Sequence, residues 1–265
     1  MHPMLNIAVR AARRAATVIL RNIERVDALE VSLKGRRDYV CSVDRDAETA
    51  AIDTLRAAYP DHQFLGEESG GSGHSDFVWL IDPLDGTTNY LHGYPQVAVS
   101  IALEFRGEVQ QAVVYDPLRD ELFTATRGSG AQLNNRRLRV SHCRSLETAL
   151  LATGFPLRDD RLIEPYLLSF AKFLHRVDDV RQTGSAALDL AYVAAGRLDG
   201  FWEFGLKPWD IAAGLLLVQE AGGLVSAPYP GQNLMRQGDI VAATPKIFPT
   251  MLEVLREHPV RVLTS

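Results

Sequence analysis

The sequence predicts an α+β chain with two differently built halves: an N-terminal half of helices and a mostly antiparallel sheet, and a C-terminal α/β half. Three observations carry that expectation. The chain opens on apolar residues at helical spacing. From about Phe64 to Thr126 it turns to short apolar or alternating runs cut by Gly, Asp and Pro, and beyond about residue 140 helical and strand patterns take turns. No repeat and no low-complexity linker divides it, so 1–140 and 141–265 are expected as intimate subdomains.

Residues 4–24 place Leu5, Ala8, Val9, Ala12, Ala16 and Ile19 on one helical face, with Pro3 suited to the first turn. The strand-like "DYVCSV" follows. A second helix is expected over Asp44–Tyr59, with Ala47, Ala50, Ala51, Thr54 and Leu55 inward and "YPDH" as its end. Phe64–Leu65, Phe77–Ile81, Val97–Leu103, Val109–Tyr115 and Glu121–Thr126 read as consecutive strands, with "EFRGEV" as a hairpin turn. "YDPLRDELFTATRGSGAQLNN" reads as two short strands and a return. Then come strand Leu150–Thr153, helix Leu162–Leu174, the helix in "SAALDLAYVAAGRLDG", strand "FWEFG" and the helix "WDIAAGLLLVQEAGG". Strands Leu224–Ser226 and Ile240–Ala242 and a last helix over Lys246–His258 complete the order.

With 265 residues, 46% of them hydrophobic, the chain can bury a sizeable core. A net charge of −5 offers no basic surplus that would by itself argue for nucleic acid. Local basic clusters (Arg10/Arg13/Arg14, Lys34/Arg36/Arg37, Arg136/Arg137/Arg139) read as solvated faces or turns. Cys41 and Cys143 are too few for a disulfide framework and fit a reducing compartment. The apolar stretch Ala15–Leu20 is too short for a secretory core, and no run of about 18 apolar residues exists. A cytoplasmic protein without a membrane partner is expected.

Four acidic features stand out: "GEES" (Gly66–Ser69), "WLIDPLDGTTNYLHGYP" (Trp79–Pro95), "YVCSVDRDAE" around Asp44, and "PWDIAAG" around Asp210. Taken singly, each has a bland alternative. Asp44 and Asp210 suit helix N-caps, "EES" a solvated loop and "DPLDG" a turn. Taken together they offer the oxygen ligands that hard divalent cations prefer, and Mg²⁺ completes its octahedron with waters and substrate phosphate. Asp82 can bridge two ions and Asp85 can take the second, while Pro83 stiffens the turn so that the Leu84 carbonyl reaches the first. Gly86 permits a close approach, and Thr87 and Thr88 fall where a helix can start and serve a phosphate. Glu67 and Asp210 would complete the shells. Paired metals activate a water and neutralise the oxygens of an in-line displacement at phosphorus.

"GEES", "WLIDPLDGTTNYLHGYP", "TGSAALDLAYVAAGRLDGFWE" and "PWDIAAGLLLVQEAGG", in that order, resemble the inositol monophosphatase family of lithium-sensitive, magnesium-dependent phosphatases. The likeness runs through nearly the whole chain, and "MHPMLNIAVRAARRAA" is similar to the family's bacterial extragenic-suppressor subgroup. The resemblance implies an αβαβα sandwich of the sugar-phosphatase type and a phosphomonoesterase acting on inositol 1-phosphate with two to three Mg²⁺. It implies that Glu67, Asp82 and the Leu84 carbonyl hold one ion, that Asp82, Asp85 and Asp210 hold the second, and that a third, weaker ion sits near Glu67. Thr87 and Glu67 would orient and deprotonate the attacking water, with Asp44 supporting Thr87. Leu84, Asp85, Gly86 and Thr87 would meet the phosphate. Gly184, Ser185 and Ala186 would form the substrate-side loop, with Asp210 beside it, and Glu203 would accept hydrogen bonds from inositol hydroxyls.

Two departures from the family pattern are Cys41, read as packing in place of a threonine, and Arg181–Gln182, where relatives often carry two arginines. Relatives are mostly homodimers, so a homodimer is expected. Fructose-1,6-bisphosphate and phosphoadenosine phosphate are the alternative substrates. The subgroup also resembles proteins that act as partners of the transcription antitermination machinery, RNA polymerase factors and ribosomal RNA. His74, His92, His142 and Cys143 lack ligand spacing for a transition metal, and Ser69 and Ser185 lack the histidine partner of a serine nucleophile.

Overall fold

The structure is a computed structural model that describes residues 2–28 and 31–257. Helix α1 (Pro3–Asn22) starts on its proline, and the His2 ring accepts the Met4 N–H at 3.2 Å. A 3-10 turn (Ile23–Ala28) leads to the hairpin β1 (Val31–Gly35) and β2 (Asp38–Cys41). Helix α2 (Ser42–Ala58) begins two residues before the expected Asp44. Cys41 is its N-cap, and Asp44 sits at the third helical position, reaching back to the Cys41 N–H at 2.9 Å. The carboxylate thus caps from within the first turn, as in a capping box.

The large sheet follows: β3 (Gln63–Gly66), β4 (Gly70–Ser72), β5 (Phe77–Asp85), the short helix α3 (Thr87–Leu91), then β6 (Ala98–Phe105), β7 (Glu108–Asp116), β8 (Glu121–Thr126), β9 (Gly130–Leu133) and β10 (Arg136–Arg137). Its eight strands run β10-β9-β8-β7-β6-β5-β3-β4, and all neighbours are antiparallel except β3 and β5. The second half contributes β11 (Leu150–Thr153), α4 (Asp160–Leu174), β12 (Asp179–Arg181), α5 (Ala186–Ala194), β13 (Gly200–Glu203), α6 (Pro208–Glu220), β14 (Leu224–Ser226), α7 (Leu234–Gln237), β15 (Ile240–Ala243) and α8 (Phe248–Glu257). Its sheet, β12-β11-β13-β15-β14, is mixed: β11 is parallel to β12 and β13, while β15 is antiparallel to β13 and β14. The last helix begins two residues after the expected Lys246, and His258 lies outside the described residues.

The period-2 alternation of the strands decides the layering. On β5 and β6, Trp79, Ile81, Val99, Ile101 and Leu103 face α1 and α2, whereas Leu80, Ala98 and Ala102 face α5 and α6. The other side of that helix pair meets Phe201 and Ala242 of the second sheet, whose far face (Leu151, Trp202, Val241) is covered by α4 and α8. The order is therefore helix, sheet, helix, sheet, helix, as the resemblance implies. Helices α5 and α6 are buried on both sides, which explains sequences apolar nearly all round. One consequence positions the site: α6, from the second half, lies under the first sheet, and the Ser100 hydroxyl donates to the Trp209 carbonyl at 3.0 Å.

Candidate active site

Strand β5 ends where its ladder with β6 shifts register between Asp82 and Asp85. The chain turns there and enters α3 through Gly86, at φ +97. A Cβ on Gly86 would lie 2.8 Å from the Gln96 carbonyl oxygen, so the turn needs glycine for space as well as for φ. The Leu84 N–H donates to Asp82 Oδ1 at 3.0 Å, fixing one carboxylate inside its own turn. Asp85 Oδ2 accepts the Ser185 hydroxyl and the Ala187 N–H, both at 2.7 Å. Asp210, at the third position of α6, accepts the Lys207 N–H at 2.8 Å.

Thr87 opens α3, and its hydroxyl donates to Asp44 Oδ1 at 2.8 Å, with the Leu84 carbonyl at 3.2 Å. Asp44 Oδ2 takes both the N–H and the thiol of Cys41, at 2.9 and 2.8 Å. Cys41 is therefore buried, as a packing residue would be, and is also a polar partner of Asp44. Burial and that neighbouring carboxylate push its thiol up to about 12, so it stays protonated and donates.

Glu67, Asp82, Leu84, Asp85, Gly86, Thr87, Gly184, Ser185, Ala186, Glu203 and Asp210 all line one cavity of about 400 Å³. Asp44 stands behind this wall and reaches it through Thr87. Among the described residues, seven acidic side chains line the cavity, against three basic ones, Arg37, Arg158 and Lys207. Burial pushes Asp82 well above the usual carboxylate range, and repulsion from Glu67, Asp85 and Asp210 adds to the rise. Asp85 is pushed up to about 6 by burial, against the lowering hydrogen bonds of Ser185 and Ala187. Asp210 is pushed up to about 8 by burial, then by Glu67 and Asp85.

Glu203 ends β13 and faces the same space, raised by burial and then by Asp189, Asp210 and Asp85. A Cβ on Gly154 would come within 2.1 Å of its carboxylate, so a glycine opposite makes room for the acid. Asp189 lines the cavity too, raised by burial and holding the Thr183 hydroxyl at 2.9 Å.

Sequence reasoning passed over Asp189, Arg158, Lys207, Asn89 and Glu48. Glu48 is buried and accepts the Glu68 and Ser69 N–H groups at 2.8 Å each, which shapes the turn that carries Glu67. Its signal was present: four residues after Asp44, it shares that residue's helix face. The Lys34/Arg36/Arg37 cluster is more than a solvated turn. Lys34 pairs with Glu67 at 3.0 Å and with Glu68, Arg36 pairs with Asp160, and Arg37 lines the cavity.

Among the described residues, no three His, Cys, Asp or Glu side chains are gathered into a ready-made cage. Mg²⁺ takes one or two carboxylates and fills its octahedron with water and phosphate. The donors are all oxygen, and carboxylates that raise one another's pKa are those a divalent cation relieves. The residues fit the ion.

The inositol monophosphatase family model matches residues 1–259. The chain belongs to the inositol monophosphatase family. Among curated relatives of this family member, "Nus factor SuhB" of Pseudomonas aeruginosa is 54% identical over 264 residues, covering 97% of both chains. The protein of the same name from Escherichia coli K12 is 54% identical over 260 residues, again covering 97% of each. Among solved structures, the extragenic suppressor protein suhB of Bartonella henselae superposes with a TM-score of 0.93 at 46% identity, covering 97% of this chain and 99% of that one. An IMPase of Thermotoga maritima superposes with a TM-score of 0.87 at 34% identity, covering 96% of each chain. The two solved structures share the fold of this chain, and no described helix of this family member is long and apolar enough to cross a membrane.

Proposed function

We propose that the chain is a Mg²⁺-dependent phosphomonoesterase whose substrate is a small phosphorylated polyol, inositol 1-phosphate first among them. The observation that carries this reading is the pairing of Thr87 with Asp44 at the edge of a cavity floored by Glu67, Asp82, Asp85 and Asp210. A hydroxyl has one proton, and Thr87 commits it to Asp44. The lone pairs of its oxygen are then left to accept from a water, which it orients. Glu67 would take that water's proton. Glu67, Asp82, the Leu84 carbonyl, Asp85 and Asp210 would hold Mg²⁺, which when bound supplies charge neutralisation and a more acidic water. The N–H groups at the start of α3 face the phosphate, and Gly184, Ser185 and Ala186 close its other side. Glu203, acceptor-only when ionised, suits paired hydroxyls of a polyol.

Phosphate release from inositol 1-phosphate with and without Mg²⁺, then with Li⁺ added, tests this. Activity that ignores Mg²⁺ would overturn it.

A second reading concerns the cell. The curated relatives carry the name Nus factor, which supports an association of this chain with the transcription antitermination machinery; a homodimeric form and contact with ribosomal RNA are part of the proposal. Complementation with Asp82→Asn separates the two roles. Full rescue assigns the cellular role to binding, and failure of a well-folded variant assigns it to catalysis.

A further inference from the structure

We propose that Asp189 is a second polyol-reading carboxylate, placed beside Glu203 to accept a hydroxyl of the substrate's ring. The inference rests on the phosphatase reading of the cavity and deepens it, because it names a further residue that sets substrate preference.

Asp189 is a buried acid that the catalytic scheme leaves idle. It lies on α5, one turn after the N-cap Ser185, whose carbonyl accepts the Asp189 N–H at 3.0 Å. It is 2% exposed, yet it lines the cavity. Its Oδ1 accepts the Thr183 hydroxyl at 2.9 Å. Its Oδ2 meets no donor among the described residues. Nor is that oxygen sealed in. Among the described residues, the buried side-chain nitrogens and oxygens without a partner are the indole nitrogens of Trp202 and Trp209. Oδ2 therefore opens on the cavity that the residue lines.

Glu203 shares this property. Among the described residues no donor meets either of its oxygens, and it lines the same cavity. Burial raises Glu203 first and Asp189 next, ahead of Asp210 and Asp85, which makes the two carboxyls near neighbours. They come from α5 and from the end of β13, in the second half of the chain, whereas Asp82 and Asp85 end β5 in the first. In the phosphatase reading Glu203 faces the polyol, and its neighbour faces the polyol with it.

Holding Thr183 does not require a carboxylate, since an asparagine would present the same acceptor. A buried acid with one oxygen unpaired is costly unless a donor arrives. Two neighbouring carboxyls also disfavour each other's charge, which hydroxyl donors relieve. An ionised phosphate brings no such donor, and a polyol ring brings several. Three open oxygens, one on Asp189 and two on Glu203, match neighbouring hydroxyls along one edge of the ring. A metal-bound water is the rival donor, and the test separates it.

The test uses the Mg²⁺-loaded protein and compares kcat/KM for inositol 1-phosphate, its monodeoxy analogues and p-nitrophenyl phosphate. Asp189→Asn keeps the Thr183 bond and the shape but turns the open acceptor into a donor. Asp189→Ala removes both, and Thr183→Val removes the tether alone. Melting temperatures check the fold of each. Asp189→Asn is expected to lower the ratio of inositol 1-phosphate to p-nitrophenyl phosphate by about tenfold or more, chiefly through KM. One monodeoxy analogue, different from the one that Glu203→Gln singles out, should be processed alike by wild type and Asp189→Asn. An unchanged ratio in Asp189→Asn, with equal losses on both substrates in Asp189→Ala and Thr183→Val, would leave Asp189 a brace of its loop and overturn the proposal alone. A raised Mg²⁺ requirement shared by every substrate, the mark of a metal-water contact, would also overturn it. If no ester is hydrolysed, the phosphatase reading fails, and calorimetric binding of inositol 1-phosphate decides the polyol site. Binding about tenfold weaker in Asp189→Asn upholds it, and equal binding removes it.

Discussion

Asn89 and Thr183 are 94 residues apart in the chain, and the Asn89 side-chain amide donates to the Thr183 carbonyl oxygen at 2.9 Å. The same nitrogen donates to the Gln96 carbonyl at 2.8 Å. One side chain thus fastens the acidic turn after β5 to the loop that precedes α5, across the division between the two halves. Asn89→Ala strands two carbonyls, and each buried unmet polar group costs about 1–3 kcal/mol. The melting temperature is expected to fall by several degrees, and kcat to fall further than that loss explains, because Asp85 depends on Ser185 and Ala187 staying where they are. A kcat that survives once the variant is stabilised by Mg²⁺ would count against the coupling.

Thr87→Ser keeps the hydroxyl and is expected to retain most activity. Thr87→Val removes it and is expected to lower kcat by about 10²-fold or more, the range seen for lost acid–base positioning, with KM little changed. Asp44→Ala leaves the Cys41 N–H and thiol without their acceptor and the Thr87 hydroxyl with the longer bond to the Leu84 carbonyl. Its expected signature is both a lower melting temperature and a low kcat, read by calorimetry and phosphate release.

The acidic floor fixes how stability depends on pH. Asp85 at about 6 and Asp210 at about 8 hold protons that the unfolded chain has already released. Where the folded state binds more protons, stability falls as pH rises. Protein stripped of divalent cations is therefore expected to melt progressively lower between pH 5 and 8. Mg²⁺ favours the ionised carboxylates, so the rise in melting temperature that it gives should grow over the same window. Asp82→Asn should shrink that rise. A rise that is flat with pH in thermal-shift titrations would contradict this.

Gly154→Ala places a methyl group within 2.1 Å of the Glu203 carboxylate and must displace it. The expected loss is selective. kcat/KM for inositol 1-phosphate should fall by about tenfold or more, while hydrolysis of a phosphate ester without polyol hydroxyls, such as p-nitrophenyl phosphate, should fall far less. Glu203→Gln should behave alike, and parallel losses on both substrates would remove Glu203 from polyol recognition.

Much of this was legible in the sequence where a side chain's job is local. The helices α5 and α6 were legible as helices, though not as helices buried on both faces, and "DPLDGTT" marked a turn at the mouth of a buried strand. Boundaries moved where a polar side chain overrode the apolar pattern: Asp44 caps from inside α2, so the helix starts before it. What the sequence hid were partners brought together by topology. Glu48 supports the Glu67 turn, Asn89 stitches two loops, and Lys34 meets Glu67 only because the β1–β2 hairpin folds over it. Strand β1 carries no burial periodicity because its residues are all exposed.

The placement of α5 and α6 between the two sheets also bears on how the protein is made. The face of the first sheet that carries Leu80, Ala102, Val114 and Phe123 is covered by residues 186–220, which the ribosome delivers well after the sheet itself. During synthesis that apolar face stands open to chaperones or to another nascent copy. Asp210 arrives on the helix that closes it, so the acidic floor is completed in the same event that shields the sheet, and a prematurely terminated chain would carry neither.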